Sequence, residues 1–166
     1  TVVSNGFDIV ALADGERTII QIVEEVGSSK PDFSKVERIA FRENGKTIIT
    51  QAPYRKPTKF IDDVPYAAID AFPLDVYQNL GDQHAGISIS HLPGRKFSGI
   101  QTSRGCQDKC TFCHISLEKK ETDLVGNMGF LRMFSKERMS EDVTRAVNLG
   151  VKRLYFEDDN LFFNKK

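Results

Sequence analysis

The chain has 166 residues, enough for one domain of ordinary size or for pieces of two. Its 40% hydrophobic and 28% charged residues are a globular composition, and 23 basic residues balanced by 23 acidic ones argue against a nucleic-acid module that works by bulk phosphate neutralisation. No stretch approaches the roughly 20 apolar residues of a membrane helix, and the opening Thr1-Val2-Val3 lacks the basic region, apolar core and cleavage site of a signal peptide.

Residues 7–13 form a short apolar run, long enough for a buried strand. Asp14-Gly15 breaks it, and Asp14 is placed to cap a helix beginning near Glu16. Ile19, Ile22, Val23 and Val26 recur at helical spacing, and Gly27 is a natural stop. A strand, tight turn and helix in this order are expected of a parallel α/β domain. Residues 36–42 and 46–50 read as two strands around Asn44-Gly45, a hairpin turn pair because both positions tolerate positive φ.

From residue 52 to 93 the texture changes. Five of the six prolines lie here (Pro53, Pro57, Pro65, Pro73 and Pro93), and the segment reads as an extended connector with one helical turn around 74–80. Its apolar residues Phe60, Ile61, Val64, Tyr66 and Phe72 would keep it against a surface. Residues 96–102 then read as a strand. Ser140 resembles an N-cap with Glu141 and Asp142 in the first turn, Met139, Val143, Ala146 and Val147 mark an apolar face, and Gly150 marks the stop. Residues 151–156 read as a second strand ending in Glu157-Asp158-Asp159-Asn160, so strand, helix and strand predict a right-handed βαβ unit with parallel strands.

The cysteines carry the chemistry. Cys106, Cys110 and Cys113 are the chain's only three, an odd and clustered set that argues against a disulfide scaffold and for a reducing compartment, the cytoplasm. Three residues of chain reach about 10 Å, so Cys-x3-Cys-x2-Cys can wrap one centre. Thiolates select zinc, copper(I) or iron–sulfur clusters, and three ligands are one short of a closed zinc site or a saturated cubane. An incomplete set leaves a metal position open to substrate. Arg104 and Lys109 would help to favour thiolate over thiol. The alternative is a noncatalytic, zinc-stabilised binding module with His84, His91 or His114 as fourth ligand.

The run Arg104-Gly105-Cys106-Gln107-Asp108-Lys109-Cys110-Thr111-Phe112-Cys113 resembles the motif of radical S-adenosylmethionine enzymes. The resemblance implies that Cys106, Cys110 and Cys113 hold a 4Fe–4S cluster whose fourth iron binds the amino and carboxylate groups of S-adenosylmethionine. Reductive cleavage of the sulfonium would then give methionine and a 5′-deoxyadenosyl radical. It implies a cofactor-edge role for Phe112, an electron donor such as flavodoxin or ferredoxin, and a small-molecule substrate that the sequence leaves unknown, with the catalytic residues beyond the cofactors unknown as well.

Thr102-Ser103-Arg104-Gly105, Ser140-Glu141-Asp142-Val143 and the run from Tyr155 to Phe162 are similar to the members of that family with an N-terminal cobalamin-binding domain. Where that family often has Gly-Gly-Glu after the second strand, this chain has Phe156-Glu157-Asp158-Asp159, so the resemblance gives the contact with the methionine amino group to Glu157, Asp158 or Asp159. Asp8-Ile9-Val10 and Ala13-Asp14-Gly15-Glu16 resemble the last strand and helix of the cobalamin domain, with the usual Gly-Glu-Gly-Glu altered. Phe60-Ile61-Asp62-Asp63-Val64-Pro65 is similar to the interdomain linker. Asp82-Gln83-His84-Ala85-Gly86 lacks the spacing of the loop that carries a histidine beneath cobalt.

The expected fold class is therefore α/β, the end of a Rossmann-like cobalamin-binding domain joined to the first βαβ of a partial (βα)6 radical barrel. The expected division is residues 1–52 for the first, with its hairpin, 53–94 for the connector and 95–166 for the second. A chain that opens on Thr1 and contains two barrel-like strands reads as a fragment of a longer enzyme, with cobalamin bound in the whole.

Overall fold

A computed structural model describes residues 6–52, 61–77 and 96–161, together with the backbone of 83–84 and 87–88. Several expectations lie outside the described residues: those on Pro53, Pro57, Phe60, Pro93, Phe162, the side chains of His84 and His91, the Asp82-to-Gly86 segment and the end of the 74–80 turn. In chain order the described elements are β1 (Ile9–Ala11), α1 (Gly15–Val26), a 3-10 turn (Phe33–Lys35), β2 (Ile39–Glu43), β3 (Lys46–Ile49), a 3-10 turn (Ile69–Ala71) and α2 (Leu74–Tyr77). There follow β4 (Gln83–His84), β5 (Ile87–Ser88), β6 (Phe97–Ile100), β7 (Ser103–Arg104), α3 (His114–Glu118), α4 (Thr122–Val125), β8 (Arg132–Met133), α5 (Lys136–Asn148) and β9 (Arg153–Phe156). The fold is mixed α/β with small sheets. No helix of the described residues is long and apolar enough to cross a membrane.

The chain divides into two units, Thr1–Thr58 with Arg104–Arg132, and Lys59–Ser103 with Met133–Lys166. The first is built on a three-stranded sheet of order β1-β2-β3. Asn44 and Gly45 both take positive φ, 50° and 76°, and close the β2–β3 hairpin opposite the Glu43–Lys46 pair, as the Asn-Gly signal predicted. β1 pairs antiparallel with β2, not in the parallel arrangement expected of a strand–helix unit. The reason lies after α1. Residues 27–38 carry the chain back to the end of β1, where the Leu12 N–H donates to the Arg38 carbonyl at 2.8 Å, so β2 enters the sheet from that end. Arg38 makes the reversal in the left-handed region, φ 54°.

The core of this unit is Val36, Ile39 and Phe41, with Ile9, Ile22, Phe33 and Ile48 packed against it. Each such buried side chain contributes about 1.5–3 kcal/mol. The Arg38 guanidinium donates to the carbonyls of Thr122 (3.1 Å), Asp123 (3.1 Å) and Ala52 (3.0 Å), which ties α4 to the hairpin segment. Helix α1 starts and stops where the sequence placed it, with Asp14 at the N-cap and Gly27 at the C-cap. Its apolar stripe is a correction. Ile22 packs on the core, whereas Ile19, Val23 and Val26 are 54%, 62% and 63% exposed and the buried residue of the helix is Thr18.

In the second unit β6 and β9 pair in parallel, Phe97 opposite Arg153 through Ile100 opposite Phe156, as the strand–helix–strand pattern predicted. Ile61, Ile100, Phe134, Ala146 and Val151 are its buried apolar residues. Helix α5 begins about one turn before the expected Ser140. Ser135 is the N-cap, and its hydroxyl accepts the Arg138 N–H at 3.1 Å, while the Ser135 N–H donates to Asp62 Oδ1 at 2.9 Å. Ser140 sits inside the helix, where its carbonyl accepts the Thr144 hydroxyl. Of the expected face only Ala146 is buried, and the place of a larger apolar residue is taken by Arg138. That side chain is satisfied by the carbonyls of Asp62 (3.1 Å) and Val64 (2.6 Å) and by Asp142 (3.1 Å), and it lies 3.8 Å over the Tyr66 ring.

Candidate cofactor-binding site

The three cysteines belong to the first unit, and none is in a disulfide. Gly105 leads into them in the left-handed region, φ 75°, and is buried. A Cβ there would collide with the Phe130 carbonyl and stand 3.0 Å from that of Met128, so the loop base admits glycine alone. Gly129 is needed for a second close approach, since a Cβ would lie 2.7 Å from the Ile115 carbonyl. The segment 128–130 thus lies between the start of the cysteine loop and α3. It is bonded to the former by the Cys106 N–H, which donates to the Gly129 carbonyl at 3.4 Å, and Cys106 forms a parallel bridge with Phe130.

Within the loop Cys106 Sγ accepts the Asp108 N–H at 3.4 Å, with the Asp108 carboxylate 3.8 Å away. Lys119 holds the Asp108 carbonyl. The Cys113 N–H donates to the Cys110 carbonyl at 3.2 Å, a turn that leaves Cys113 at the N-cap of α3, and the buried Ile115 anchors that helix. Cys106 and Cys113 are half-buried, and Cys110 is exposed. Phe112 is 91% exposed, an unusual position for a phenylalanine. The Arg104 guanidinium is 2.7 Å from Glu16 and 3.6 Å from Asp14. His114 is exposed and turns toward Glu118 at 3.9 Å.

The acidic run lies at the end of β9, in the second unit. Its three members differ. Asp158 Oδ1 accepts from the backbone N–H and hydroxyl of both Thr102 and Ser103, and its Oδ2 is buried without a hydrogen-bond partner. The Glu157 N–H donates to the Ile100 carbonyl at 2.9 Å, and its side chain folds over Gly99, 3.0 Å from where a Cβ would stand. Asp159 is exposed. A surface depression of about 500 Å³ on α5, lined by Tyr66, Glu137, Ser140, Glu141, Thr144 and Arg145, includes none of the predicted site residues.

In chemical kind the donors fit an iron–sulfur cluster: three thiols on one loop, one of them already accepting a backbone N–H of the sort that tunes cluster potentials. In position they are not assembled. No group of three or more His, Cys, Asp or Glu side chains among the described residues is close enough to hold a metal ion. The sequence did not single out Gly129, Arg132 or the pairing of Asp158 with Thr102 and Ser103. Their partners are far away in the chain, and no local pattern marks them.

No family model matches the chain. It is 27% identical over 160 residues to an uncharacterized methyltransferase of Pyrococcus horikoshii, covering 96% of this chain and 30% of the relative. It is 22% identical over 154 residues to the cobalamin-dependent radical SAM methyltransferase TokK of Streptomyces tokunonensis. It is 21% identical over 154 residues to the 2-(S-pantetheinyl)-carbapenam-3-carboxylate methyltransferase of Streptantibioticus cattleyicolor. In each of the last two cases 92% of this chain and 20% of the relative are covered. The chain thus spans less than a third of the length of these relatives, and along nearly its whole length it is similar to enzymes named as methyltransferases.

Proposed function

We propose that this chain is part of a radical S-adenosylmethionine methyltransferase, with Cys106, Cys110 and Cys113 as the ligands of a 4Fe–4S cluster. The observation that carries the reading is the loop itself: three cysteines outside any disulfide at Cys-x3-Cys-x2-Cys spacing, at a base that only glycine can form. The similarity to TokK supports the radical and cobalamin-dependent form of the activity. When bound, the cluster would supply one electron to break a carbon–sulfur bond of the sulfonium, giving methionine and a 5′-deoxyadenosyl radical.

The chain's own residues then divide the work. The cysteines hold the cluster and leave one iron for the methionine moiety. Phe112 offers an exposed aromatic face beside Cys113. The methionine amino contact is proposed for one of Glu157, Asp158 and Asp159, of which Asp158 also accepts from Thr102 and Ser103. Asp14 and Glu16, on the segment that resembles the cobalamin domain, are paired with Arg104 and Arg132, and no residue here is assigned to cobalamin. A flavodoxin- or ferredoxin-type electron donor and a small-molecule methyl acceptor complete the proposal.

Iron and sulfide analysis of anaerobically reconstituted protein tests it. About three to four irons per chain, lost on Cys110→Ala, are expected. One tight zinc instead, with unfolding on chelation, would identify the zinc-stabilised module. Methionine and 5′-deoxyadenosine formed from S-adenosylmethionine under reducing conditions would extend the test to catalysis.

A further inference from the structure

The carboxylate of Asp14 meets two arginines, and both belong to the frame of the cysteine loop. Arg132 is 7% exposed, pairs with both Asp14 oxygens, and donates to the carbonyls of Met128 (3.1 Å) and Phe130 (3.3 Å). Those carbonyls flank Gly129, whose own carbonyl accepts the Cys106 N–H. Arg104, two residues before Cys106, reaches Glu16 at 2.7 Å and Asp14 at 3.6 Å. Both chain segments that enclose Gly105 and Cys106 are therefore held by acids at the start of α1.

This arrangement accounts for an anomaly in the helix. Asp14 occupies the N-cap of α1, yet its side chain makes no capping hydrogen bond. A cap carboxylate turned away from its own helix forgoes about 1 kcal/mol. Here it serves a nearly buried guanidinium, which is costly to leave without an anion. Beyond its base the loop is open, with Cys110 and Phe112 exposed, so the placement of Cys106 depends on the frame beneath it.

We propose that Asp14 is a positioning residue for Cys106, acting through Arg132 and Arg104, with Glu16 as the second anchor. The start of α1 thereby sets the geometry of one cluster ligand and couples the N-terminal segment to the cysteine loop. This rests on the reading of Cys106 as a ligand.

The test compares the full chain with Asp14→Asn, Asp14→Glu and, as a control in the same unit, Asp32→Asn. In metal-free reduced protein the alkylation rate of each cysteine by iodoacetamide is read by peptide mass spectrometry. Asp14→Asn is expected to accelerate Cys106 about tenfold relative to Cys113, Asp14→Glu to restore most of the difference, and Asp32→Asn to change neither. After reconstitution, the reduced cluster of Asp14→Asn is expected to keep its iron but shift its electron paramagnetic resonance g values. An unchanged Cys106 rate with an unchanged spectrum would overturn the proposal, and so would equal acceleration at all three cysteines, which marks general loosening. A chain that binds no iron would sink the cluster reading alone, since the alkylation comparison does not depend on metal.

Discussion

Ser103 and Asp158 are joined twice, the backbone N–H and the hydroxyl of Ser103 both donating to Asp158 Oδ1, the hydroxyl at 2.8 Å. Thr102 adds two more donors to the same oxygen, at 2.9 Å and 3.0 Å. Ser103 is 1% exposed, so its N–H and hydroxyl have no alternative in water. The acid after β9 thereby closes the turn that follows β6. An acidic run at a strand end, which a sequence presents as three equivalent carboxylates, contains one that is built into the fold.

Replacing Asp158 separates structure from ligand binding. Asp158→Ala leaves four donors unmatched and is expected to lower stability by about 2–4 kcal/mol. Asp158→Asn keeps an accepting oxygen and is expected to lose less, although its amide NH2 enters the buried position of Oδ2. Urea denaturation of the three proteins measures both. A loss near zero for the alanine variant would show that the four bonds hold nothing together.

The base of the cysteine loop is a second sensitive point. Gly105→Ala must place a Cβ against the Phe130 carbonyl at φ 75°, and is expected to cost about 3 kcal/mol or more. Gly15→Ala, in the first turn of α1 with nothing within 4 Å, is expected to be neutral or stabilising by about 0.5 kcal/mol. Thermal midpoints of the two variants should move in clearly different degree. If Gly105→Ala melts like the parent, the loop base is not the close approach described.

Asp62 gives the second unit a measurable pH dependence. The Ser135 N–H, then the Ser135 hydroxyl and the Arg138 charge, hold its carboxyl below the ordinary value of 3.8. A depressed folded pKa contributes stability that is present above the unfolded value and is lost as pH falls through the folded one. The urea midpoint of the parent should therefore approach that of Asp62→Asn as pH falls from about 5 to about 2, and exceed it at neutral pH. A gap between the two that is constant over that range would contradict the Ser135 bond.

What the sequence revealed was local. Asn44-Gly45, the Asp14 and Gly27 ends of α1 and the Gly150 stop were visible because each rests on a few adjacent residues, and the parallel pair of β6 with β9 followed from the order of strand, helix and strand. The start of α5 was misplaced because Ser135 and Ser140 are both acceptable caps. Asp62, more than seventy positions away, takes the N–H that makes Ser135 the better one. The antiparallel entry of β2 was hidden for the same reason, in the Leu12–Arg38 bond. At the candidate site the ligand types were legible in the cysteine spacing, while the frame of Gly129, Arg132 and Asp14 was not, since it depends on contacts between remote segments.

Helix α1 shows the limit of periodicity most sharply, and it supplies the last prediction. Its apolar residues recur at helical spacing, yet Ile19, Val23 and Val26 are more than half exposed, while Ile39, in a strand of only five residues, is completely buried. Burial, not pattern, sets the energetic consequence. Val23→Ala is expected to change stability by no more than about 0.5 kcal/mol, and the better helix propensity of alanine favours a small gain. Ile39→Ala empties a packed position and is expected to cost about 2–5 kcal/mol. Urea denaturation of the two variants decides it. A loss at Val23 comparable to that at Ile39 would mean that the outer face of α1 is covered in solution, because only a covered side chain forfeits packing when it is shortened.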